Sequence, residues 1–319
     1  MKRPPRVMFF GMPGSFSQPS LRALLNNGIE VCAVIIPAIH DRAARADQPA
    51  LYRRERLRPA SSTLPMLHSS LESTIVQLAW QREIPLWEVY RLSDPTTVST
   101  FADYQPDVVC VACFSLRIPR AILEIPRLGC LNVHPSLLPA NRGPVPLFWT
   151  FRQGCEHTGV TIHLMDEGMD SGDILAQEVI EVLSGMSYAQ LELECALHGG
   201  DLLADTIWKL YQGDTKPMPQ DESMSSYHGF PGDENYIVPV AEWDCVHVYN
   251  FICGVVGWGG PIVLQIQGEY MIVRKAISYS HENICETSGG NYCWRGEELW
   301  IRCKTGWVAV ERWTSLSDG

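Results

Sequence analysis

An α/β chain with a mostly parallel sheet, followed by a small antiparallel β module, is predicted by three features of these 319 residues. Apolar runs without in–out alternation recur through roughly the first 180 residues and are separated by helix-period segments. That is the pattern of strands buried on both faces and connected by helices. A Pro/Gly/Ser/acid-rich stretch at 213–235 breaks the pattern and reads as a connector. Residues 236–319 then carry short, alternating, Trp/Val/Ile-rich segments between Gly, Asn and Glu-Gly turns, as a small antiparallel barrel of OB-like type does. The expected division is a catalytic domain at 1–213, a linker at 214–235 and the C-terminal module at 236–319.

RVMFFGM (6–12) is a buried first strand, and it leads into Pro13-Gly14 rather than into a small-residue cleavage site. PSLRALLNNG (19–28) is a short amphipathic helix stopped by Asn-Asn-Gly, and EVCAVIIP (30–37) is the second strand. After an Arg-rich stretch, residues 67–83 show helical periodicity. IPLWEV (84–89), DVVCVACF (107–114) and CLNVHP (130–135) are further strands, with a helix-like PRAILEIPRLG before the last. GVTIHLMDEG (159–168) is one more strand, entering a Gly/Asp-rich loop. A long helix covers 187–213, with an expected weak point at Gly199-Gly200. This order describes a Rossmann-like, doubly wound architecture, whose ligands bind beyond the carboxyl ends of the strands.

Composition excludes several classes. Apolar content of 46% with 19% charged residues describes a soluble globular chain rather than a disordered one. No 18-residue apolar run is present, so no membrane span is expected. A formal charge of −11 argues against indiscriminate binding to nucleic acid or anionic membranes, though not against a local basic patch. Eleven scattered cysteines, an odd number, fit a reduced, cytoplasmic compartment. Cys110 and Cys113 in VVCVACF read as core packing, and no second Cys/His pair stands at zinc spacing, so no metal is expected. Nothing in the sequence marks an oligomeric state.

LNVHPSLLPANRG (131–143) holds the candidate chemistry. Strand side chains alternate faces, so Asn132 and His134 project together, just where Pro135 stops the strand. Downstream, MDEGMDSGDIL (165–175) supplies Asp166, Glu167, Asp170 and Asp173 in a glycine-bearing loop that can fold back to the same rim. A carboxamide, an imidazole and a carboxylate together suit acyl transfer by direct attack. The amide donates to a developing oxyanion, the imidazole handles a proton, and the carboxylate orients it. No G-x-S-x-G elbow is present, which disfavours a covalent serine route. The plainer reading is a satisfied buried polar pair and a surface turn, and spacing alone leaves both open.

N-V-H-P-S-L-L-P-x-x-R-G followed by T-G-V-T-I-H-x-M-D-E-G-x-D-x-G-D-I-L resembles the folate-dependent formyltransferase family, most of all its methionyl-tRNA formyltransferases. FFGMPGSFSQPSLRALL is similar to the family's opening strand and helix. PDVVCVACFSLRIPRAILEIPRLGCLNVHPSLLP matches almost continuously, and TGWVAVERW resembles the end of the OB-like domain. The resemblance implies transfer of a formyl group from 10-formyltetrahydrofolate to a primary amine, without a metal, with Asn132, His134 and Asp170 as the catalytic set. It also implies a pterin pocket of Phe114, Ser115, Leu116, Ile118 and Pro119 with Asp166, Glu167, Gly168 and Met169, acting largely through backbone groups. Arg142, Gly143, Phe148 and Trp149 would lie toward the acceptor.

The acceptor is less sharply marked. HDRAARADQPALYRRERLRP (40–59), with six arginines against three acids, is similar to a basic loop that in the tRNA enzymes wedges into the acceptor arm. It also reads as a solvated insertion. Three features depart from the tRNA pattern. Gly143-Pro144-Val145-Pro146-Leu147-Phe148-Trp149 stands where those enzymes tend to read A-A-P-I-Q after R-G. Residues 236–319 carry six Lys/Arg against nine Asp/Glu, and an acidic module repels phosphates. CGVVGWGGPI (253–262) replaces the R-A-F-N-P-W-P-G-A kind of segment. Methionyl-tRNA, a small amine such as an amino sugar, and water (formyltetrahydrofolate hydrolysis) remain as acceptors.

Overall fold

Valine, isoleucine and phenylalanine side chains with no exposed face build the central strands, and a parallel sheet covered on both sides follows from them. The computed structural model describes residues 3–38, 49–56, 74–285, 290–311 and 314–315. The chain divides into two compact units. The first comprises Met1–Arg142, Gly159–Val179 and Leu193–Ser225, and the second Gly143–Thr158, Ile180–Glu192 and Ser226–Gly319.

In the first unit, β1 (Arg6–Gly11), β2 (Glu30–Pro37), β3 (Leu51–Arg53), β4 (Leu86–Val89), β5 (Val108–Ala112), β6 (Cys130–His134), β7 (His157–Leu164) and β8 (Ile174–Glu181) form one sheet. Its order is β3-β4-β2-β1-β5-β6-β7-β8. β4, β2, β1, β5 and β6 are parallel. β3 runs antiparallel to β4, and β7 antiparallel to β6. Phe9, Phe10, Met8 and Ile35 are fully buried, each such side chain contributing about 1.5–3 kcal/mol. Strand order reverses between β1 and β5, the switch point beyond which such sheets place ligands. Cys113 Sγ stands 3.9 Å from Met12 Sδ there. Cys113 is exposed at φ +55°, so the strand ends at Ala112 and only Cys110 packs in the core as the sequence suggests.

Helices α1 (Ser17–Asn26), α2 (Ile75–Gln81), α3 (Pro95–Ala102) and α4 (Arg120–Leu123) connect the strands, and α5 (Pro146–Arg152) follows β6. Asp94 caps α3 by accepting from the Thr96 amide at 2.9 Å, with Pro95 at the first position. The expected helix over 67–83 is α2 where it is described; residues 67–73 lie outside the described residues. α6 (Tyr188–Gln212) is one continuous 25-residue helix through Gly199-Gly200. Gly199 serves close packing instead: a Cβ there would lie 2.7 Å from Val133 Cγ1 and 2.9 Å from Val160 Cγ2.

The second unit holds β9 (Ile237–Pro239), α7 (Cys245–Val255), β10 (Ile262–Ile266), β11 (Glu269–Val273), β12 (Lys275–Ser280), β13 (Tyr292–Arg295), β14 (Glu298–Arg302), β15 (Trp307–Glu311) and β16 (Thr314–Ser315). They form two four-stranded sheets, β16-β11-β10-β9 and β12-β15-β14-β13. All pairings are antiparallel except β9 with β10. α5 meets α7 so closely that a Cβ on Gly254 would touch the Phe151 ring at 2.4 Å. Nine cysteines are free, whereas Cys285 and Cys293 form a disulfide, which the expectation of a wholly reduced set did not include. No helix among the described residues is long and apolar enough to cross a membrane.

Candidate active site

β6 ends at His134, and period-two alternation puts Asn132 and His134 on the face that looks toward the loop after β7. That loop, residues 165–173, is pinned at its base. The Leu164 amide donates to the Asp173 carbonyl at 2.9 Å, and the Met165 amide to the Cys130 carbonyl at 2.8 Å. Gly172 makes the closure sterically feasible, since a Cβ there would lie 1.8 Å from the Leu164 oxygen. The result delivers Asp170, at φ +53°, to the strand end.

Asp170 Oδ1 lies 3.7 Å from His134 Nδ1 and 3.7 Å from His163 Nε2. The Asp170 side chain is 10% exposed and that of His134 5%, so their interaction is little screened. His134 Nε2 is 3.0 Å from the Asn141 carbonyl. A carbonyl only accepts, so Nε2 carries a proton and donates there, leaving Nδ1 to face the carboxylate.

His163 is a participant the sequence reading passed over. It is the antiparallel cross-strand partner of Asn132, and its Nε2 lies 3.2 Å from Asn132 Nδ2. Its Nδ1 faces the Leu164 carbonyl at 2.9 Å. Burial, followed by the neighbouring His134 charge, holds its pKa down at about 4, with Asp170 and the Leu164 carbonyl opposing. His163 is therefore neutral near pH 7. Nδ1–H donates to Leu164, and the bare Nε2 accepts from the Asn132 amide.

The two segments expected to hold a pterin come together. Phe114 is half-buried with its ring 5.2 Å from Phe10, Ile118 is buried, Leu116 and Pro119 are half-buried and Ser115 is exposed. On the other side Asp166, Glu167, Gly168 and Met169 are exposed. Asp166 shapes the turn by accepting from the Gly168 amide and the Ser171 hydroxyl, both at 2.9 Å. Arg117 Nη2 donates to the Glu167 carbonyl at 2.6 Å and so bridges the segments.

The acceptor-side residues are divided. In the first unit, Arg142 is buried and its Nε, Nη1 and Nη2 are all engaged by Gln220 and Glu222. In the second unit, Gly143 at φ +118° lies against the His228 carbonyl, where a Cβ would come within 2.1 Å. Phe148 is fully buried among Trp149, Tyr236, Phe251 and Trp258. Trp149 stacks on His228 at 4.5 Å and donates from Nε1 to the Gly229 carbonyl at 3.0 Å. Of the Arg-rich stretch, Arg53, Arg54 and Arg56 are exposed, with Arg54 paired to Glu88 at 2.7 Å. Arg42, Arg45 and Arg58 lie outside the described residues. No group of three or more His, Cys, Asp or Glu among the described residues is placed to hold a metal ion.

Residues 6–207 match the model of a family described as formyl transferase. The chain belongs to the formyl transferase family. Within the family, it is 36% identical over 225 residues to a methionyl-tRNA formyltransferase of Synechococcus sp. (strain JA-3-3Ab), a match covering 70% of this chain and 63% of that relative. It is 28% identical over 309 residues to the methionyl-tRNA formyltransferase of Ruminiclostridium cellulolyticum, covering 96% and 90%. Among solved structures, the N-formyltransferase from Helicobacter canadensis, in complex with folinic acid and dTDP-3-aminofucose, shares the fold with a TM-score of 0.63. It is 15% identical, covering 96% of this chain and 99% of that one. Methionyl-tRNA formyltransferase from Clostridium thermocellum superposes with a TM-score of 0.50 at 14% identity, covering 86% and 93%.

Proposed function

We propose that this formyl transferase-family chain moves a formyl group from 10-formyltetrahydrofolate to a primary amine, with methionyl-tRNA as the first candidate acceptor. The carrying observation is the approach of the Asp170 carboxylate to His134 at the end of the strand that also presents Asn132. The folate co-substrate is held by residues 114, 115, 116, 118 and 119 against 166–169, mostly through main-chain groups. The amine nitrogen attacks the formyl carbon, and the Asn132 amide donates to the oxyanion that forms, while His134, whose Nε2 is held by the Asn141 carbonyl, takes part through Nδ1. The carbon–N10 bond then breaks, and the proton lost by the amine passes to N10 with His134 and Asp170 assisting. In this reading 1–213 is the catalytic domain, 214–235 the connector and 236–319 an OB-like module. Arg142, Gly143 and Phe148 support the acceptor side from within, while Trp149 is half-buried. A cytoplasmic location goes with this reading.

A small amine, such as an amino sugar, is the second reading, supported by the Trp149–His228 stack and the acidic 236–319 module. The test is to incubate the protein with 10-formyltetrahydrofolate alone, with methionyl-tRNA, or with a nucleotide-linked amino sugar, and to follow tetrahydrofolate release. Release that needs tRNA and falls steeply with salt supports the first reading. Release that needs the sugar supports the second, and release without acceptor replaces both with hydrolysis. Asn132→Ala, His134→Ala and Asp170→Ala each lose on the order of 10²-fold or more; near-normal turnover in His134→Ala overturns the assignment.

A further inference from the structure

Gln220 lies in the stretch whose composition reads as a connector, yet its carboxamide is fully committed. Nε2 donates to the Asp170 carbonyl at 2.8 Å and to the Gly172 carbonyl at 2.7 Å. Oε1 accepts from Arg142 Nε at 3.1 Å and Nη2 at 2.8 Å. An amide offers two donors and two acceptor lone pairs, so its capacity is filled. The segment is held alongside the loop by a pair of main-chain bonds between Ile174 and Met218, at 2.8 and 2.9 Å. Glu222 closes the far side by accepting from Arg142 Nη1 at 3.0 Å and Nη2 at 2.8 Å.

Both ends of this chain of bonds belong to the site. Asp170 adopts a left-handed backbone at φ +53°, a conformation a non-glycine residue keeps only where its surroundings impose it. Arg142 follows Asn141, whose carbonyl holds His134 Nε2. One carboxamide thus ties the loop bearing the carboxylate to the loop gripping the imidazole.

We propose that Gln220 is a positioning residue for the chemical step, imposing the backbone at Asp170 that holds its carboxylate against His134. The proposal rests on the reading of Asn132, His134 and Asp170 as the catalytic set. Gln220→Glu keeps oxygens for Arg142 and removes both donors to the loop, whereas Gln220→Ala removes everything. Turnover is measured with 10-formyltetrahydrofolate and whichever of methionyl-tRNA or a nucleotide-linked amino sugar the wild type formylates. Each variant lowers kcat on the order of 10- to 100-fold, while KM for 10-formyltetrahydrofolate moves by less than about threefold. Gln220→Glu decides where Gln220→Ala fails to fold. Adding Gln220→Ala to Asp170→Ala costs no more than about twofold further, because a residue acting through Asp170 then has nothing to act on. Multiplying losses in the double variant, or wild-type kcat in Gln220→Glu, overturns the proposal and leaves the catalytic set standing. Normal kcat in Asp170→Ala, or a wild type that formylates neither acceptor, overturns the catalytic reading itself and takes the proposal with it.

Discussion

Asn132 on β6 and His163 on β7 are cross-strand partners whose side chains meet at 3.2 Å, so an imidazole fixes which way the proposed catalytic carboxamide faces. The pairing leaves one Asn132 N–H to project away from His163. His163→Ala frees the amide to turn and lowers kcat about 10-fold, the loss of one well-placed hydrogen bond of about 1 kcal/mol or more. His163→Gln, which can still accept from Asn132, recovers part of it. Steady-state kinetics on the two variants check this, and equal kcat in wild type and His163→Ala contradicts it.

The same histidine makes stability depend on pH. Its folded pKa of about 4 lies below the ordinary 6.5, so the folded state resists protonation that the unfolded chain accepts. The neutral form's contribution is whole above pH 6.5 and is lost as pH falls from there toward 4, at up to about 1.4 kcal/mol per pH unit. Urea unfolding across this window in wild type and His163→Gln measures it, the variant losing less stability on acidification.

Gly172 and Gly168 differ in what a side chain would meet. At Gly172 the obstacle is the Leu164 main-chain oxygen at 1.8 Å, whereas at Gly168 it is the Ser171 hydroxyl at 2.1 Å, which can rotate. Gly172→Ala therefore displaces Asp170 and lowers kcat on the order of 10²-fold. Gly168→Ala costs far less in kcat. Parallel kcat measurements with thermal melts separate misplacement from unfolding.

Gly199 lets α6 approach the strand that carries the site. Gly199→Ala drives a methyl into Val133 and Val160, an overpacking that costs about 1–3 kcal/mol. Each kcal/mol lowers Tm by about 2–4 °C in a folding unit of about 150–250 residues. Because Val133 stands between Asn132 and His134, kcat falls as well.

Arg53, Arg54 and Arg56 separate the acceptors. With methionyl-tRNA, replacing all three by alanine raises KM for tRNA and flattens its salt dependence, each lost phosphate contact reducing the slope by about one. With a small amine the same variant behaves as wild type.

Legibility followed locality. Asn132 and His134 could be read as neighbours because strand alternation is a property of adjacent residues. The buried runs of β1, β2, β5 and β6 were visible for the same reason. His163 was hidden inside an apolar strand motif, and only the antiparallel β6–β7 register brings it to Asn132. Gln220 and Glu222 sit in a stretch whose composition reports a lack of regular structure, not a lack of contacts. α3 announced itself through Asp94-Pro95, a cap followed by a first-turn proline, and that signal could have been used. α5 and α7 were obscured because PLFWTFR and CVHVYNFICGV invite a motif or strand reading.

The strap of Met218, Gln220 and Glu222 also governs when competence is acquired. β6 can take its place with the central sheet, but the Asp170 and Gly172 carbonyls gain their side-chain donor only after the 25 residues of α6 have intervened and the chain has doubled back. Contacts so distant along the chain form slowly, since loop entropy is lost before they return anything. A folding molecule thus passes through a stage with sheet and helices in place and a carboxylate still wandering, and activity in a refolding experiment lags behind the recovery of secondary structure.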